Sequence, residues 1–199
     1  MKKSLLLLSV LAGSATLANA QTTSFGIKAG ASLTNLTGDG VSDTKNLFGF
    51  HGGLVANFAV NDAFSIQPEV LYSMKGTKTE NSSVKLTSRL HYIDVPVLAR
   101  VNAGGLFFEL GPQIGFLVAA KQKREVSGTG AGTSDSDIKS SVRTVDFGYA
   151  AGLGYQLSNG PGIGLRYNGG FIDTRNPSNS SSARNSAFQL YLTYMFGGK

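Results

Sequence analysis

The sequence contains no cysteine among its 199 residues. This excludes disulfides, thiolate metal sites, a cysteine nucleophile and the acylated cysteine of a lipoprotein. Charge is also scarce, at 15% of the chain against roughly 25% in ordinary soluble domains. The two histidines, His51 and His91, match no metal-binding spacing and accompany no catalytic triad. We therefore expect no enzymatic activity, no metal site and no cofactor.

The N-terminal segment has the three parts of a secretory signal peptide. The pair Lys2-Lys3 precedes an apolar stretch over residues 5–17, and Ala18-Asn19-Ala20 is a small-x-small cleavage site. No later segment is apolar for the roughly 20 residues that a transmembrane helix needs. The sequence predicts a signal peptide over residues 1–20 and a single domain over residues 21–199.

The domain is dominated by strict alternation of apolar residues, which is the period of a β-strand. Eight such runs occur, and no charged residue falls on the apolar face of any of them. The opposite face carries charged and amide side chains separated by many of the 26 glycines. The runs extend over residues 25–33, 50–60, 64–74, 93–101, 106–118, 145–157, 163–171 and 188–196.

The connections between the runs also alternate, between short and long. Short turns are expected at residues 61–62, 102–104 and 158–160, where asparagine, aspartate and glycine supply turn chemistry. The other links are long and polar, near residues 34–47, 76–89, 121–143 and 173–186. This predicts an all-β, eight-stranded antiparallel up-and-down barrel with long loops at one end.

Two barrels fit this alternation, and they differ in where the apolar face points. A soluble periplasmic ligand-binding barrel turns it inward, whereas an outer-membrane barrel turns it toward lipid. The aromatic residues are too bulky for the lumen of eight strands, and they cluster near both strand ends as interfacial girdles do. Small glycines on the polar face would leave room for long charged side chains inside. We therefore expect a transmembrane β-barrel.

A lumenal polar network follows from this orientation, because buried charges must be paired. Ion pairs are expected among Glu69, Glu109, Asp146 and the cations Lys28, Arg100 and Arg166, with Arg100 and Glu109 as diagonal neighbours across the turn between them. Such a network would close the lumen. The complete predicted network is Lys28, Glu69, Asp94, Arg100, Glu109, Gln113, Asp146 and Arg166.

Two features of the strands leave room for irregularity. Pro68, Pro96 and Pro112 lie inside strands of a barrel without free edges, so we expect β-bulges at these positions. The phase of the fourth strand is open, because Leu90 and Tyr92 alternate oppositely to Ile93.

A basic cluster leaves the fifth strand at the long-loop end. Lys121, Lys123 and Arg124 would lie where lipopolysaccharide phosphates sit, although an ordinary solvated loop is the alternative. Binding of nucleic acid is not expected, because the aromatic residues belong to the lipid-facing side and not to the basic loops.

Several motifs in order resemble the PorT-like "porin family" of outer-membrane barrels from Bacteroidota. The resemblance covers residues 24–198, although the chain ends on Gly197-Gly198-Lys199 after Phe196, whereas barrels commonly end on an aromatic residue. It implies an outer-membrane barrel of the OmpA or OmpX kind. The motifs are Gln67-Pro68-Glu69-Val70-Leu71-Tyr72-Ser73-Met74-Lys75-Gly76, Tyr92-Ile93-Asp94-Val95-Pro96, Gly111-Pro112-Gln113-Ile114-Gly115, Asp146-Phe147-Gly148, Arg166-Tyr167-Asn168 and Phe188-Gln189-Leu190.

Taken together, these patterns predict an integral outer-membrane protein of a Gram-negative bacterium. The expected role is structural, surface-interacting or narrowly permeable, and a small-solute porin and the soluble ligand-binding barrel are the alternatives. The expected partners are outer-membrane lipid and lipopolysaccharide, with the outer-membrane assembly machinery and periplasmic chaperones during transit. We expect a monomer.

Overall fold

The computed structural model describes residues 23–38, 44–128, 131–174 and 183–196. The predicted signal peptide and the closing Gly197-Gly198-Lys199 lie outside these ranges. Among the described residues, no helix is long and apolar enough to cross a membrane. The elements are β1 (Thr23–Thr37), β2 (Thr44–Ala59), β3 (Phe64–Glu80), β4 (Val84–Ala103), β5 (Leu106–Val126), β6 (Gly132–Asp137), a 3-10 helix (Lys139–Ser141), β7 (Val145–Gln156), β8 (Pro161–Gly170) and β9 (Arg184–Phe196).

Eight of these strands close into an antiparallel ring. Each strand pairs with its neighbour in the chain, except that β5 pairs with β7, and β1 closes the ring by pairing with β9. The closing seam runs without a shift from Phe25 opposite Phe196 to Thr37 opposite Arg184. The predicted eight-stranded up-and-down barrel is confirmed, because each run of alternating residues lies in one strand of this ring, apart from the end residues Val60, Leu157 and Phe171.

The apolar face points outward and the charged face points inward. Phe25, Leu54 and Phe188 expose 59%, 66% and 65% of their surface, whereas Lys28 and Arg166 expose 2% each. A soluble ligand-binding barrel would require the opposite arrangement. This orientation is that of a barrel whose outer surface meets hydrocarbon.

The short turns lie close to where the sequence predicts them. In the first, the side-chain oxygen of Asn61 accepts hydrogen bonds from the backbone N–H groups of Ala63 and Phe64, at 3.0 and 2.8 Å. The second turn is Gly104-Gly105, one residue later than expected. Both positions have positive φ (59° and 91°). Glycine adopts such angles without strain, so the turn forms at this pair.

The strands extend well beyond the predicted runs at the long-loop end, so the expected loops over residues 76–89 and 121–143 are wrong in large part. Apart from the buried Thr77, Thr87 and Leu90, the side chains of these extensions are at least partly exposed on both faces. This removes the alternation of apolar residues while the backbone ladder continues. The additional strand β6 pairs with the end of β5 and takes no part in the ring. We call the part of this extension formed by β3, β4, β5 and β6 the outer sheet; it comprises residues 77–80, 84–90, 121–126 and Gly132–Asp137. Residues 44–46 of β2 continue it beside β3.

The expectation of bulges at the prolines is also wrong. The register of β3 and β4 is the same on both sides of Pro68, and that of β4 and β5 is the same on both sides of Pro96 and Pro112. A proline removes one donor from the ladder, and these strands absorb that loss without inserting a residue. The register shifts lie elsewhere, between Asn46 and His51 and between His91 and Tyr92.

The burial of its side chains decides the phase of the fourth strand. Val97 and Val101, in phase with Ile93, expose 45% and 48% of their surface, whereas Leu90 and Tyr92 are buried. The set containing Ile93 therefore faces lipid. Leu90 and Tyr92 form a small apolar cluster inside the barrel near its long-loop end.

Candidate functional site: the closed lumen

The centre of the lumen is an ion-pair cluster around Glu69 of β3. Lys28 of β1 donates to Glu69 Oε1 at 2.6 Å, and Arg166 of β8 binds both oxygens, at 2.8 and 2.9 Å. The side chains of all three residues have no exposed surface. Because β3 and β8 are not neighbours in the ring, the bond between Arg166 and Glu69 crosses the lumen.

Arg166 also binds a second carboxylate, that of Glu109 on β5. Its Nε donates to Glu109 Oε1 at 2.7 Å, and the hydroxyl of Tyr191 donates to the same oxygen at 2.8 Å. The Tyr191 ring in turn lies 4.0 Å from Lys28 Nζ. Gly164 makes room for this ring, because a Cβ at that position would clash with it. The inner-face glycines thus allow large polar side chains to fill a narrow barrel.

Arg100 does not form the predicted ion pair with Glu109. The two residues lie directly opposite one another, not diagonally, yet no ion pair joins them within the described part of the chain. Arg100 donates instead to the side-chain oxygens of Asn102 and Gln67, at 2.9 and 3.0 Å, and stacks 3.7 Å from the Phe107 ring. Glu109 is already held by Arg166, which leaves Arg100 with neutral partners.

A second ion-pair cluster lies nearer the long-loop end. Lys75 Nζ lies 2.9 Å from Asp94 Oδ1 and 3.5 Å from Asp146 Oδ2, and Asn185 donates to Asp146 at 2.8 Å. Asp146 was expected to pair with one of the cations of the Glu69 cluster, and the structure corrects this. The predicted network omits Lys75, although this residue continues the inward phase of Gln67 and Glu69 along β3.

Amide and hydroxyl groups complete the filling of the lumen. Asn168 donates to Gln113 at 2.8 Å, and the Ser32 hydroxyl lies 2.9 Å from Nδ1 of His51. Every residue of the predicted network is at least 95% buried. Residues that sequence reasoning left out of the network are Lys75, Phe107, Asn185 and Tyr191.

The buried charges balance across the two clusters. The lumen holds the four cations Lys28, Lys75, Arg100 and Arg166 and the four carboxylates Glu69, Asp94, Glu109 and Asp146. Such pairs offset part of the cost of removing charge from water, and removing one partner costs about 3–5 kcal/mol because the other is left uncompensated. The network therefore links different strands through ion pairs and also fills the lumen of the barrel.

The lumen has a cavity at the short-turn end. This cavity of about 610 Å³ is lined by residues that include Ser24, Asn57 and Gln156, and Arg100 forms part of its wall. Because Arg100 belongs to the predicted network, the cavity borders the network on the side of the short turns. In the described residues, no group of three or more histidine, aspartate or glutamate side chains is placed to hold a metal ion.

The three predicted lipid-contacting cations do not share one face. Lys121 and Lys123 point outward from β5, whereas Arg124 lies on the opposite face of the outer sheet because side chains alternate along a strand. Lys123 is held by Glu125 at 2.7 Å. Of the three, only Lys121 faces outward without an ion pair in the described residues.

A closed eight-stranded ring with an apolar exterior and a charged, occluded interior defines an outer-membrane β-barrel protein. The chain belongs to the family described as "Outer membrane protein beta-barrel domain", which matches residues 19–176. No curated protein matches the sequence.

Several solved structures are similar to the chain at low sequence identity. The chain is similar to Ail, the attachment invasion locus protein of Yersinia pestis, solved with the heparin analogue sucrose octasulfate, with 16% identity, a TM-score of 0.51, and coverage of 88% of this chain and 99% of that one. Neisserial surface protein A has 16% identity, a TM-score of 0.48 and coverage of 86% and 97%. OprG from Pseudomonas aeruginosa has 11% identity, a TM-score of 0.43 and coverage of 89% and 98%.

Proposed function

We propose that this protein is a non-enzymatic outer-membrane barrel with a closed lumen, which anchors and displays the outer sheet at the cell surface. The observation that carries the proposal is the bond between Arg166 and Glu69, which crosses the lumen between fully buried side chains. The lumenal acids are bound to lumenal cations, which favours a structural role over acid–base chemistry.

Conductance in planar bilayers tests the closed lumen. We expect the refolded protein to insert without giving steady ion conductance, and insertion is checked independently by the shift in gel mobility on boiling. A Glu69→Gln/Glu109→Gln variant, in which Arg166 loses both carboxylates, serves as a comparison for a loosened network. Steady conductance of the wild-type barrel would instead support a small-solute porin.

Export and assembly are proposed on the same basis. Residues 1–20 direct secretion, periplasmic chaperones and the outer-membrane assembly machinery receive the chain, and the mature barrel works as a monomer. The closed ring supports the last point, because it leaves no unpaired barrel edge for strand exchange. Cross-linking in native membranes tests it, with a single species of monomer mass as the expected result.

The narrower placement among PorT-like porin-family barrels of Bacteroidota is also a proposal. It is supported by the motif from Gln67 to Gly76, whose inward-facing Glu69 and Lys75 belong to the two ion-pair clusters. No role in secretion follows from this resemblance, because a fold does not determine a function.

A further inference from the structure

We infer that the outward face of the outer sheet binds the phosphate groups of a lipid headgroup in the outer leaflet, through Lys78, Arg89 and Lys121. We call these three residues the basic trio. The inference deepens the proposed function, on which it rests, by naming a lipid ligand for a surface at the long-loop end. It differs from the sequence-based cluster, of which only Lys121 remains.

The strand register places the basic trio directly beyond the lipid-facing surface. On the outward face of β3, β4 and β5, successive rows change from apolar to cationic within a few residues. One row is Tyr72, Ile93 and Phe116, the next is Met74, His91 and Ala119, the next is Gly76, Arg89 and Lys121, and the last is Lys78, Thr87 and Lys123. Rows on one face are about 7 Å apart. The first row of the basic trio, with Arg89 and Lys121, therefore lies about 7 Å beyond the row of Met74, His91 and Ala119.

Like charges face one another in this arrangement. Arg89 and Lys121 are direct cross-strand partners on the same face, a placement that is destabilising when nothing neutralises it. Neither residue, nor Lys78, has an ion-pair partner in the part of the chain that the structure describes. A phosphate between Arg89 and Lys121 would turn this repulsion into two charge-assisted hydrogen bonds.

The neighbouring acids are engaged elsewhere. Glu80 binds Lys45 at 2.8 Å, and Glu125 binds Lys85 and Lys123, at 3.3 and 2.7 Å. Asp137 lies opposite Lys121, but its Oδ1 accepts a hydrogen bond from the backbone N–H of Lys139 at 2.8 Å. The basic trio is thus a group of cations that no carboxylate of the described residues holds in an ion pair, although the charges of Glu80 and Asp137 lie near Lys78 and Lys121.

The surface below the trio favours a lipid over a free anion. Tyr72 contacts Phe50 and stacks on His91, with ring centroids 5.8 Å apart in both cases, and its hydroxyl lies 2.6 Å from His91 Nδ1. Amphipathic rings of this kind are typical of membrane interfaces. A ligand that carries phosphate above an acyl chain would satisfy both surfaces, which points to lipid A.

Calorimetric titration of the refolded mature barrel with lipid A, in matched non-ionic detergent, tests the inference. A cation near an anionic headgroup contributes about 1 kcal/mol, so the Lys78→Gln/Arg89→Gln/Lys121→Gln variant should bind roughly a hundredfold more weakly. The control is Lys45→Gln/Lys85→Gln/Lys123→Gln, which removes the same charge from cations already held in ion pairs. We expect the control to retain most of the wild-type affinity.

Two further probes separate the sources of phosphate. Dephosphorylated lipid A should bind much more weakly than lipid A, and inorganic phosphate alone should bind weakly. The inference is overturned if the wild-type barrel does not bind lipid A, if both triple variants lose affinity equally, or if dephosphorylated lipid A or inorganic phosphate binds as tightly as lipid A. Conductance and boiling-dependent mobility, measured on the same samples, report separately on the closed lumen.

Discussion

At the scale of single residues, Arg166 is the residue on which the lumen depends most. It holds Glu69 with two hydrogen bonds and Glu109 with a third, and all three side chains are fully buried. Planar guanidinium geometry suits this double role, which the single ammonium of a lysine could not reproduce. The energetic consequences of the network should therefore be concentrated at a few positions.

We expect Glu69→Gln to destabilise the folded barrel strongly. The variant keeps the volume of the side chain but removes the negative charge that Lys28 and Arg166 share. Leaving buried cations uncompensated lowers the free energy of unfolding by about 3–5 kcal/mol. Urea-induced unfolding in lipid vesicles measures the loss. The matched control is Glu80→Gln, which breaks the exposed ion pair with Lys45 and should change stability little. Equal losses in the two variants would contradict a structural role for the network.

Arg100 and Arg166 give a second comparison within the lumen. Arg100→Gln should lower the temperature of the boiling-dependent gel shift, because Gln67 and Asn102 lose a charged donor. Arg166→Gln should lower it further, because two buried carboxylates then lose their shared cation. An Arg100 variant as unstable as the Arg166 variant would show that Glu109 depends on Arg100 after all.

At the level of single strands, each long barrel strand passes through two environments along one continuous ladder of backbone hydrogen bonds. Over residues 93–101 of β4 the outward side chains meet lipid, whereas over residues 84–89 all side chains but Thr87 are at least partly exposed, whichever face they occupy. Only the first environment requires alternation of apolar residues. This is why the sequence predicts the barrel strands well and the outer sheet poorly, although the backbone pairing is the same in both.

Ion pairs at the tip of the outer sheet should show a pH dependence. The hydrogen bond from Lys45, together with its positive charge, holds the pKa of Glu80 below its ordinary value. A carboxyl group with a depressed pKa stabilises the fold above its unfolded pKa, and this contribution is lost as the pH falls through the folded pKa. The pairing of β2 with β3 at Lys45 should therefore weaken only in acid.

Nuclear magnetic resonance titration of the Glu80 carboxyl in detergent micelles measures this effect. In a Lys45→Gln variant the pKa of Glu80 should rise toward its ordinary value. Glu125, whose pKa is lowered by Lys123 and Lys85, is the internal control and should not move. A pKa of Glu80 that is the same with and without Lys45 would refute the pairing.

At the scale of the whole molecule, the closed ring predicts resistance to detergent. No barrel strand in the described residues ends on a free edge, since β1 pairs with both β2 and β9. We expect the protein to migrate differently in gels with and without boiling. Identical mobility under both conditions would be inconsistent with a stable barrel.

Export gives a second prediction at this scale. Cleavage at the predicted site after Ala20 would remove 20 of the 199 residues, including Lys2 and Lys3, so membrane-isolated protein should begin at Gln21. Intact-mass analysis of the protein from the outer-membrane fraction checks this. A mass that includes residues 1–20 would contradict the predicted signal peptide.

The class of fold and the orientation of the strand faces follow from the local pattern of residues along the chain. Alternation along a strand is a local property, so Phe25, Leu54 and Phe188 could be assigned to one face and Lys28, Glu69 and Arg166 to the other without coordinates. The spacing of turn residues then set the number of strands. The inward position of Lys75 could also be predicted from the sequence, because Lys75 has the same phase along β3 as Glu69.

Which charges form pairs, in contrast, depends on how the strands are arranged in space. Arg166 reaches Glu69 across the lumen, and the two residues are separated by 97 positions in the chain. Pairing across a barrel depends on how far each strand is staggered around the ring, which no local pattern encodes. The register of β4 and β5 likewise places Arg89 opposite Lys121 on the outer sheet. The sequence pattern did not predict which side chains of these segments share a face.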